Sequence, residues 1–113
     1  MRIKINKKPR KFIVGLKKTT LKDLGKIYLN NNEQLTFIRK KSQYDIVKKD
    51  WGYYATPSVN KRLKRFNFRT FITQNSFKAI YIMMVHKEKI NQFKKYLKAD
   101  KIKIIKEITN GIK

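Results

Sequence analysis

The sequence predicts an α+β fold: an antiparallel sheet with two helices on one face, and a ferredoxin-like β-α-β-β-α-β core preceded by an N-terminal basic arm and a hairpin. Two observations predict it. Between residues 43 and 108, short apolar runs bounded by turn residues alternate with two segments of helical periodicity. A chain of 113 residues also suits one domain with a modest core. We therefore expect an arm over residues 1–11 and a single α+β domain over residues 12–113.

The N-terminal third is expected to be extended. Residues 1–18 carry eight basic side chains and no acid, and KFIVG, after Pro9, has the composition of a short strand. GKIYL and QLTFIRK flank the turn-rich segment NNNE, which predicts a hairpin. QYDIV follows as the first strand of the core.

The first helix is predicted over residues 57–66. Thr56 is positioned to cap it, and Pro57 suits its first turn. The apolar side chains that recur with helical spacing are Val59, Leu63 and Phe66. Basic side chains occupy much of the remaining surface, so we expect one buried stripe and a charged outer face.

The second helix is predicted in KEKINQFKKYLKA, where Ile90, Phe93 and Leu97 form the apolar stripe. The remaining core strands are NFRTFIT, KAIYIMMV and KIKIIKEI. Within the second of these, AIYIMMV is apolar on both faces, whereas a strand with one buried face alternates apolar with polar residues. A second surface must therefore cover it: the N-terminal hairpin, a second subunit or a partner.

The net charge is the strongest indication of function. Thirty Lys and Arg oppose seven Asp and Glu, giving +23. An AT-rich coding sequence enriches lysine but does not explain so few acids. We expect a polyanionic partner, namely nucleic acid, with an anionic membrane surface or an acidic protein as alternatives. The sequence lacks cysteine, an apolar run of membrane-spanning length and a secretory signal, so we expect a cytoplasmic protein without disulfides.

The segment WGYYATPSVNKRLKRF is the candidate contact region. We expect Trp51 to be buried at the end of the core, since large aromatic side chains are mostly buried. Tyr53 and Tyr54 suit burial and stacking on an exposed base equally well. The candidate RNA-binding residues, basic side chains facing phosphates and the two tyrosines, are Arg2, Lys4, Lys7, Lys8, Arg10, Lys11, Tyr53, Tyr54, Lys61, Arg62, Lys64, Arg65, Arg69, Lys94, Lys95 and Lys98.

Catalytic and metal sites are not indicated. The one histidine, His86, has only Glu88 near it in sequence, and the acids are scattered. There is no phosphate-binding glycine motif. We expect no enzyme activity, no cofactor, no metal and no small-molecule substrate. The alternatives are a DNA-binding or regulatory module, although no helix-turn-helix is evident, and a metal-independent ribonuclease.

The run YDIVKKDWGYYATPSVNKRLKRFNFRT, followed by YIMMV and FKKYL, resembles a small bacterial protein family whose members carry W-G-aromatic-Y-A-T-P-S-x-N-x-R-L. The likeness covers about residues 35–100 and implies no activity to carry over. It indicates that the turn from Trp51 to Leu63 is not accidental. The function we predict is non-catalytic RNA binding, as a small ribosomal or ribosome-associated protein that neutralises rRNA phosphates beside neighbouring ribosomal proteins, without a membrane.

Overall fold

The computed structural model describes residues 1–112, which form three small antiparallel sheets. The strands are β1 (Arg2–Val14), β2 (Thr19–Tyr28), β3 (Gln34–Arg39), β4 (Ser42–Lys49), β5 (Gly52–Ala55), β6 (Phe68–Gln74), β7 (Ile80–His86) and β8 (Lys103–Glu107). The helices are α1 (Arg62–Arg65) and α2 (Ile90–Ala99), with a 3₁₀ turn over Lys87–Lys89 before α2. The sheet orders are β1-β2, β3-β4-β5 and β7-β6-β8.

The predicted ferredoxin-like core is wrong. The chain is mostly β, with 54% of residues in strands and 15% in helices, and two helices do not cover one sheet. The physical reason lies in β4, which the prediction placed in the same sheet as β6. Tight turns at residues 40–41 and 50–51 return the chain at once, so β4 pairs with β3 on one edge and β5 on the other. Both its edges are filled by sequence neighbours.

The predicted hairpin around NNNE is also wrong, because β2 and β3 belong to different sheets. The chain forms its hairpins one segment earlier, β1 with β2, and one segment later, β3 with β4. The connector between them lies against the end of β4. The Asn32 N–H donates to the Lys48 carbonyl at 2.7 Å, and the Lys48 N–H donates to the Glu33 carbonyl at 3.0 Å.

Helix α1 has one turn rather than the predicted span of residues 57–66. Thr56 does not cap it, since its hydroxyl donates to Asp45 at 3.1 Å. Residues 57–61 are irregular, and the N–H of Leu63 donates back to the Ser58 carbonyl. Asn67, at φ 65°, then ends the turn in the left-handed region. Of the predicted stripe, Leu63 is fully buried at 1% exposed, whereas Val59 and Phe66 are half-buried.

The core lies around β6. The buried apolar side chains are Leu63, Phe68, Phe71, Val85 and Leu97. Helix α2, within the second segment predicted to be helical, packs Phe93 against Phe71 with ring centroids 5.2 Å apart. Such a core is small for 113 residues. Within residues 1–112, neither helix combines the length and the apolar character needed to cross a membrane.

Strand β7 forms an edge of its sheet, and one of its faces is exposed at the end that carries Ile80 and Ile82. Ile82 pairs with Ile72, and Ile80 and Ile82 are 64% and 62% exposed. The β1–β2 hairpin does not cover them. Its turn lies on the other side, where Leu16 lines a cleft with Tyr81 of β7 and residues of α2. Both faces of this strand are apolar, and the chain buries its second half more than its first.

Two contacts fix the hairpin turn against the end of α2. The N–H of Lys17 donates to Oδ1 of the buried Asp100 at 3.0 Å. Gly15 adopts φ +76°, and a Cβ there would lie 2.5 Å from Oδ2 of Asp100. Only glycine suits both this backbone conformation and this approach. The far end of the β1–β2 hairpin is therefore joined to the body of the protein.

Candidate nucleic-acid interface

One face of the β1–β2 hairpin is a row of positive charges. Lys4 pairs with Lys26 and Lys11 pairs with Lys22 across the two strands. Directly opposed side chains point to the same side, and alternate residues of β2 share a face. Arg2, opposite Tyr28, lies on that side too. We call this the lysine face, and its basic residues are Arg2, Lys4, Lys11, Lys22 and Lys26. Like charges placed directly opposite destabilise a sheet unless another group neutralises them.

Within residues 1–112, the carboxylates in ion pairs do not pair with lysines. The carboxylates in ion pairs are Asp23, Glu33, Asp45, Glu88 and Glu107. Their partners are four arginines and the N-terminal amino group, and no lysine within residues 1–112 pairs with a carboxylate. The described lysines therefore contribute positive potential that no ion pair within residues 1–112 offsets.

An exposed cluster of aromatic rings forms the second part of the site, at the turn between β4 and β5. Trp51, Tyr53 and Tyr54 are 67%, 65% and 45% exposed. The rings of Trp51 and Tyr54 stack, with centroids 5.9 Å apart and planes at 17°. The Lys48 ammonium lies 5.8 Å from the centroid of the Tyr53 ring. We call these three residues the aromatic turn. The expectation that Trp51 is buried is wrong, because the turn projects away from the core around β6.

The connector between β2 and β3 links the lysine face to the aromatic turn. The N-terminal amino group, next to Arg2, lies 3.2 Å from Glu33. Lys49, at the end of β4, donates to the Asn32 side chain at 2.6 Å. A hydrogen bond from the Asn30 N–H, and then the amino group, lower the pKa of Glu33. These contacts hold the open end of the hairpin and the end of β4, with the half-buried Lys48 and Lys49, to the same connector.

Two of the predicted contact residues, Arg62 and Arg69, lie within 3.0 Å of carboxylates. Arg62 donates to Asp45 at 3.0 Å and to the Thr56 hydroxyl at 2.7 Å. Arg69 donates two hydrogen bonds to Glu107, at 2.7 and 2.8 Å, which lower the pKa of Glu107 to about 2 and raise that of Arg69. Both guanidinium groups thus stabilise the fold, and the interface proposed below does not include them.

The remaining predicted residues are distributed over separate surfaces. Arg10 pairs with Asp23 at 3.4 Å on the face of the hairpin opposite the lysine face, and Lys7 and Lys8 lie in the irregular stretch of β1 where the register shifts. The other exposed side chains, on or beside the two helices, are Lys61, Lys64, Arg65, Lys94, Lys95 and Lys98. These basic side chains do not form one continuous row along a helix, because α1 has only one turn.

The sequence did not predict four lysines of the candidate site: Lys22 and Lys26 on the lysine face, and Lys48 and Lys49 beside the aromatic turn. A signal for the first two was present in TTLKDLGKIY, because residues four apart in a strand share a face. That signal is readable only once the segment is known to be a strand. Lys48 and Lys49 follow QYDIV directly and sit beside the aromatic residues in sequence.

The motif from Trp51 to Leu63 divides into two physical roles. Thr56 and Arg62 bind Asp45, and Leu63 fills the core, so this part holds the fold together. The aromatic residues at its start are exposed and support no part of the core. Comparison with known protein families, with curated proteins and with solved structures finds no match to this chain.

Proposed function

We propose that this chain is a non-catalytic RNA-binding protein. One observation carries the proposal: within residues 1–112 the lysines of the lysine face have no carboxylate partner, and exposed aromatic rings lie at the β4–β5 turn, while the β2–β3 connector contacts both the N-terminal amino group and Lys49. Aromatic side chains stack on unpaired bases while lysines contact the neighbouring phosphates, which is the usual combination in proteins that bind single-stranded segments. The rings of Trp51 and Tyr54 give a stacking platform, and Tyr53, the preceding residue of β5, is a third exposed ring on the other face of the strand.

The affinity would come from counterion release and from base stacking. Each phosphate neutralised by a lysine releases condensed cations into solution, so binding weakens steeply with salt. The charge also explains why the partner must be dense in phosphate, since Lys4 and Lys26, or Lys11 and Lys22, repel each other until an anion lies between them. Stacking adds about 1–3 kcal/mol per base without selecting a base sequence.

We propose the ribosome, in the cytoplasm, as the place of binding. Besides the charge of +23, the chain exposes large apolar side chains on every sheet, among them Ile5, Ile38 and Ile82 at 74%, 68% and 62%. A monomer surrounded by water rarely exposes so much apolar surface, whereas a component of an assembly buries it against neighbours. Ribosomal RNA and adjacent ribosomal proteins supply both kinds of neighbour.

Sedimentation of a native lysate, with and without ribonuclease, tests the ribosomal part of the proposal. The protein, followed by mass spectrometry, is expected to migrate with a ribosomal subunit through a high-salt wash and to leave that fraction after ribonuclease treatment. Recovery at the top of the gradient in both samples would rule out a ribosomal component. RNA binding by the purified protein is tested separately, by the binding comparison described next.

The class of nucleic acid is tested with purified protein at matched salt. A two-stranded ribbon such as the β1–β2 hairpin also suits the major groove of B-DNA, which makes duplex DNA the competing ligand. We expect tighter binding to an RNA hairpin with an unpaired loop than to duplex RNA or duplex DNA. Duplex DNA bound as tightly as the looped RNA would favour the DNA-binding alternative. RNA cleavage that His86→Ala abolishes would make the protein a ribonuclease.

A further inference from the structure

A cleft of about 850 Å³ opens where three separate segments meet. The β3–β4 turn contributes Arg39, Lys40 and Lys41, the end of α1 contributes Arg65, and the end of β7 contributes His86 and Lys87. None of these segments is adjacent to another in sequence, and only the fold brings their charges together. The cleft is distinct from the aromatic turn, since the eight residues of β4, about 25 Å of strand, separate the two turns.

The cationic groups of the cleft outnumber its acids. Five lysine and arginine side chains line it, against one carboxylate, Glu88, among the residues that the structure describes. Arg39 holds that carboxylate at 2.7 Å and, by this hydrogen bond, lowers its pKa. The remaining positive charges have no ion-pair partner within residues 1–112. They face a concave space that a compact anion can enter.

His86 reports on this cluster. Its imidazole lies against the Phe68 ring, with centroids 4.5 Å apart, and it is half-buried at the end of β7. Burial lowers the pKa of His86, and the neighbouring charge of Arg39 lowers it further. Lys40 and Lys89 act in the same direction, while Glu88 acts against them. Burial first, and then the neighbouring positive charges, therefore favour the neutral ring.

We propose that this cleft binds a phosphate group through Lys40, Lys41, Arg65 and Lys87. Phosphate matches the site because it is compact, carries up to two charges and accepts several hydrogen bonds from ammonium and guanidinium donors. The source of the phosphate rests on the proposed function: it is a phosphate of the bound RNA, with one charge inside the strand or up to two at a 5′ end, rather than of a free nucleotide. An RNA that contacts both the cleft and the aromatic turn would follow β4 along its length.

The chain contains one histidine, so His86 gives a single imidazole signal in a proton NMR titration of the untagged protein. Inorganic phosphate is added at constant ionic strength, with chloride as the reference, because salt alone also screens the neighbouring charges. A phosphate bound in the cleft favours the imidazolium. We expect the pKa of His86 to rise by about 0.5–1 in phosphate. An unchanged pKa would overturn the proposal.

Variants separate the cleft from the rest of the charged surface. The double variant Lys41→Gln and Arg65→Gln is expected to abolish the rise, while Lys78→Gln, an exposed lysine outside the cleft, keeps it. An equal rise in both variants would show that phosphate acts elsewhere and would overturn the proposal.

A 5′-phosphorylated oligonucleotide and a nucleoside monophosphate, compared in the same titration, identify the source. A rise with the oligonucleotide at far lower concentration assigns the phosphate to RNA, and an equal response contradicts that assignment. If looped RNA quenches Trp51 fluorescence and leaves the pKa of His86 unchanged, the proposed RNA binding stands and the phosphate site in the cleft is rejected. If phosphate raises the pKa of His86 but the protein binds no RNA, the phosphate site stands and the proposed function is rejected.

Discussion

Arg62 Nη2 lies 3.0 Å from Oδ2 of Asp45, and this contact joins α1 to β4. The Asp45 side chain is only 4% exposed, and the Thr56 hydroxyl donates to the same carboxylate oxygen. A buried carboxylate is tolerated only with such partners. The contact fixes the irregular segment between β5 and α1 against β4.

Removing the guanidinium is therefore expected to destabilise the fold. Arg62→Gln leaves the Asp45 carboxylate buried with the Thr56 hydroxyl as its remaining side-chain donor. We expect a loss of roughly 2–3 kcal/mol in the free energy of unfolding, at the lower end for a broken buried pair because Arg62 is partly exposed. Urea denaturation measures it. Arg65→Gln, on the same helical turn and without a carboxylate partner, serves as the control and should change stability by less than about 0.5 kcal/mol.

The aromatic turn is expected to contribute to RNA affinity and not to stability. Trp51→Ala should weaken binding to looped RNA by about tenfold, the equivalent of one lost stacking interaction, while the unfolding midpoint stays unchanged because Trp51 buries little surface. Phe77→Ala removes an aromatic side chain that is 81% exposed elsewhere on the chain. Equal losses of affinity in the two variants would mean that the aromatic turn has no special role.

The lysine face should give opposite effects on binding and on stability. Replacing Lys22 and Lys26 by Gln removes two phosphate contacts, so the slope of log affinity against log salt should fall by about 1.4 for single-stranded RNA. The same change removes two like-charge pairs, with Lys11 and Lys4, and should raise the free energy of unfolding without RNA by about 0.5 kcal/mol.

Lys78→Gln with Lys101→Gln is the matched control for that pair, because it lowers the net charge equally from exposed positions outside the hairpin. If the two double variants lower the salt slope by the same amount, the interface depends on total charge rather than on the hairpin face.

Acid is expected to weaken the contact between β6 and β8. Folding lowers the pKa of Glu107 from 4.5 to about 2, chiefly through the hydrogen bonds from Arg69. The unfolded chain then binds this proton more tightly, so the stabilisation is complete above pH 4.5 and is lost as the pH falls towards 2. The pair is one third exposed, which limits its contribution to about 1 kcal/mol. Glu107→Gln should be less stable than the natural chain at pH 7 by that amount and nearly equal at pH 2. A constant difference across this range would contradict the ion-pair explanation.

Local patterns in the sequence predicted the strands and one helix better than they predicted how the strands pair. The stripe of Ile90, Phe93 and Leu97 correctly indicates α2, and the apolar runs correctly indicate β6 and β7. The partners of β4 depend on the turns at residues 40–41 and 50–51, whose sequences lack the glycine and asparagine pairs that signal a hairpin. Without that signal, element order alone favoured a four-stranded sheet that the chain does not form.

The candidate site shows the same limit. Composition alone indicates a polyanionic partner, but the lysine face requires the β1–β2 register, which no local pattern encodes. Arg62 and Arg69 show the converse: their charge suggested phosphate contact, while Asp45 and Glu107, distant in sequence, bind both. Trp51 was expected inside because of its size, and its exposure follows from the position of its turn at the end of a hairpin.

The central claim is that RNA binds across the aromatic turn, and the intrinsic fluorescence of Trp51 tests it most directly, since the chain has no other tryptophan. Titration with a single-stranded oligouridylate should quench this fluorescence through base stacking, and the quenching should weaken as salt increases. Duplex DNA of equal phosphate concentration should quench it much less. RNA that binds, as judged by anisotropy of a labelled strand, and leaves Trp51 fluorescence unchanged would contradict the claim.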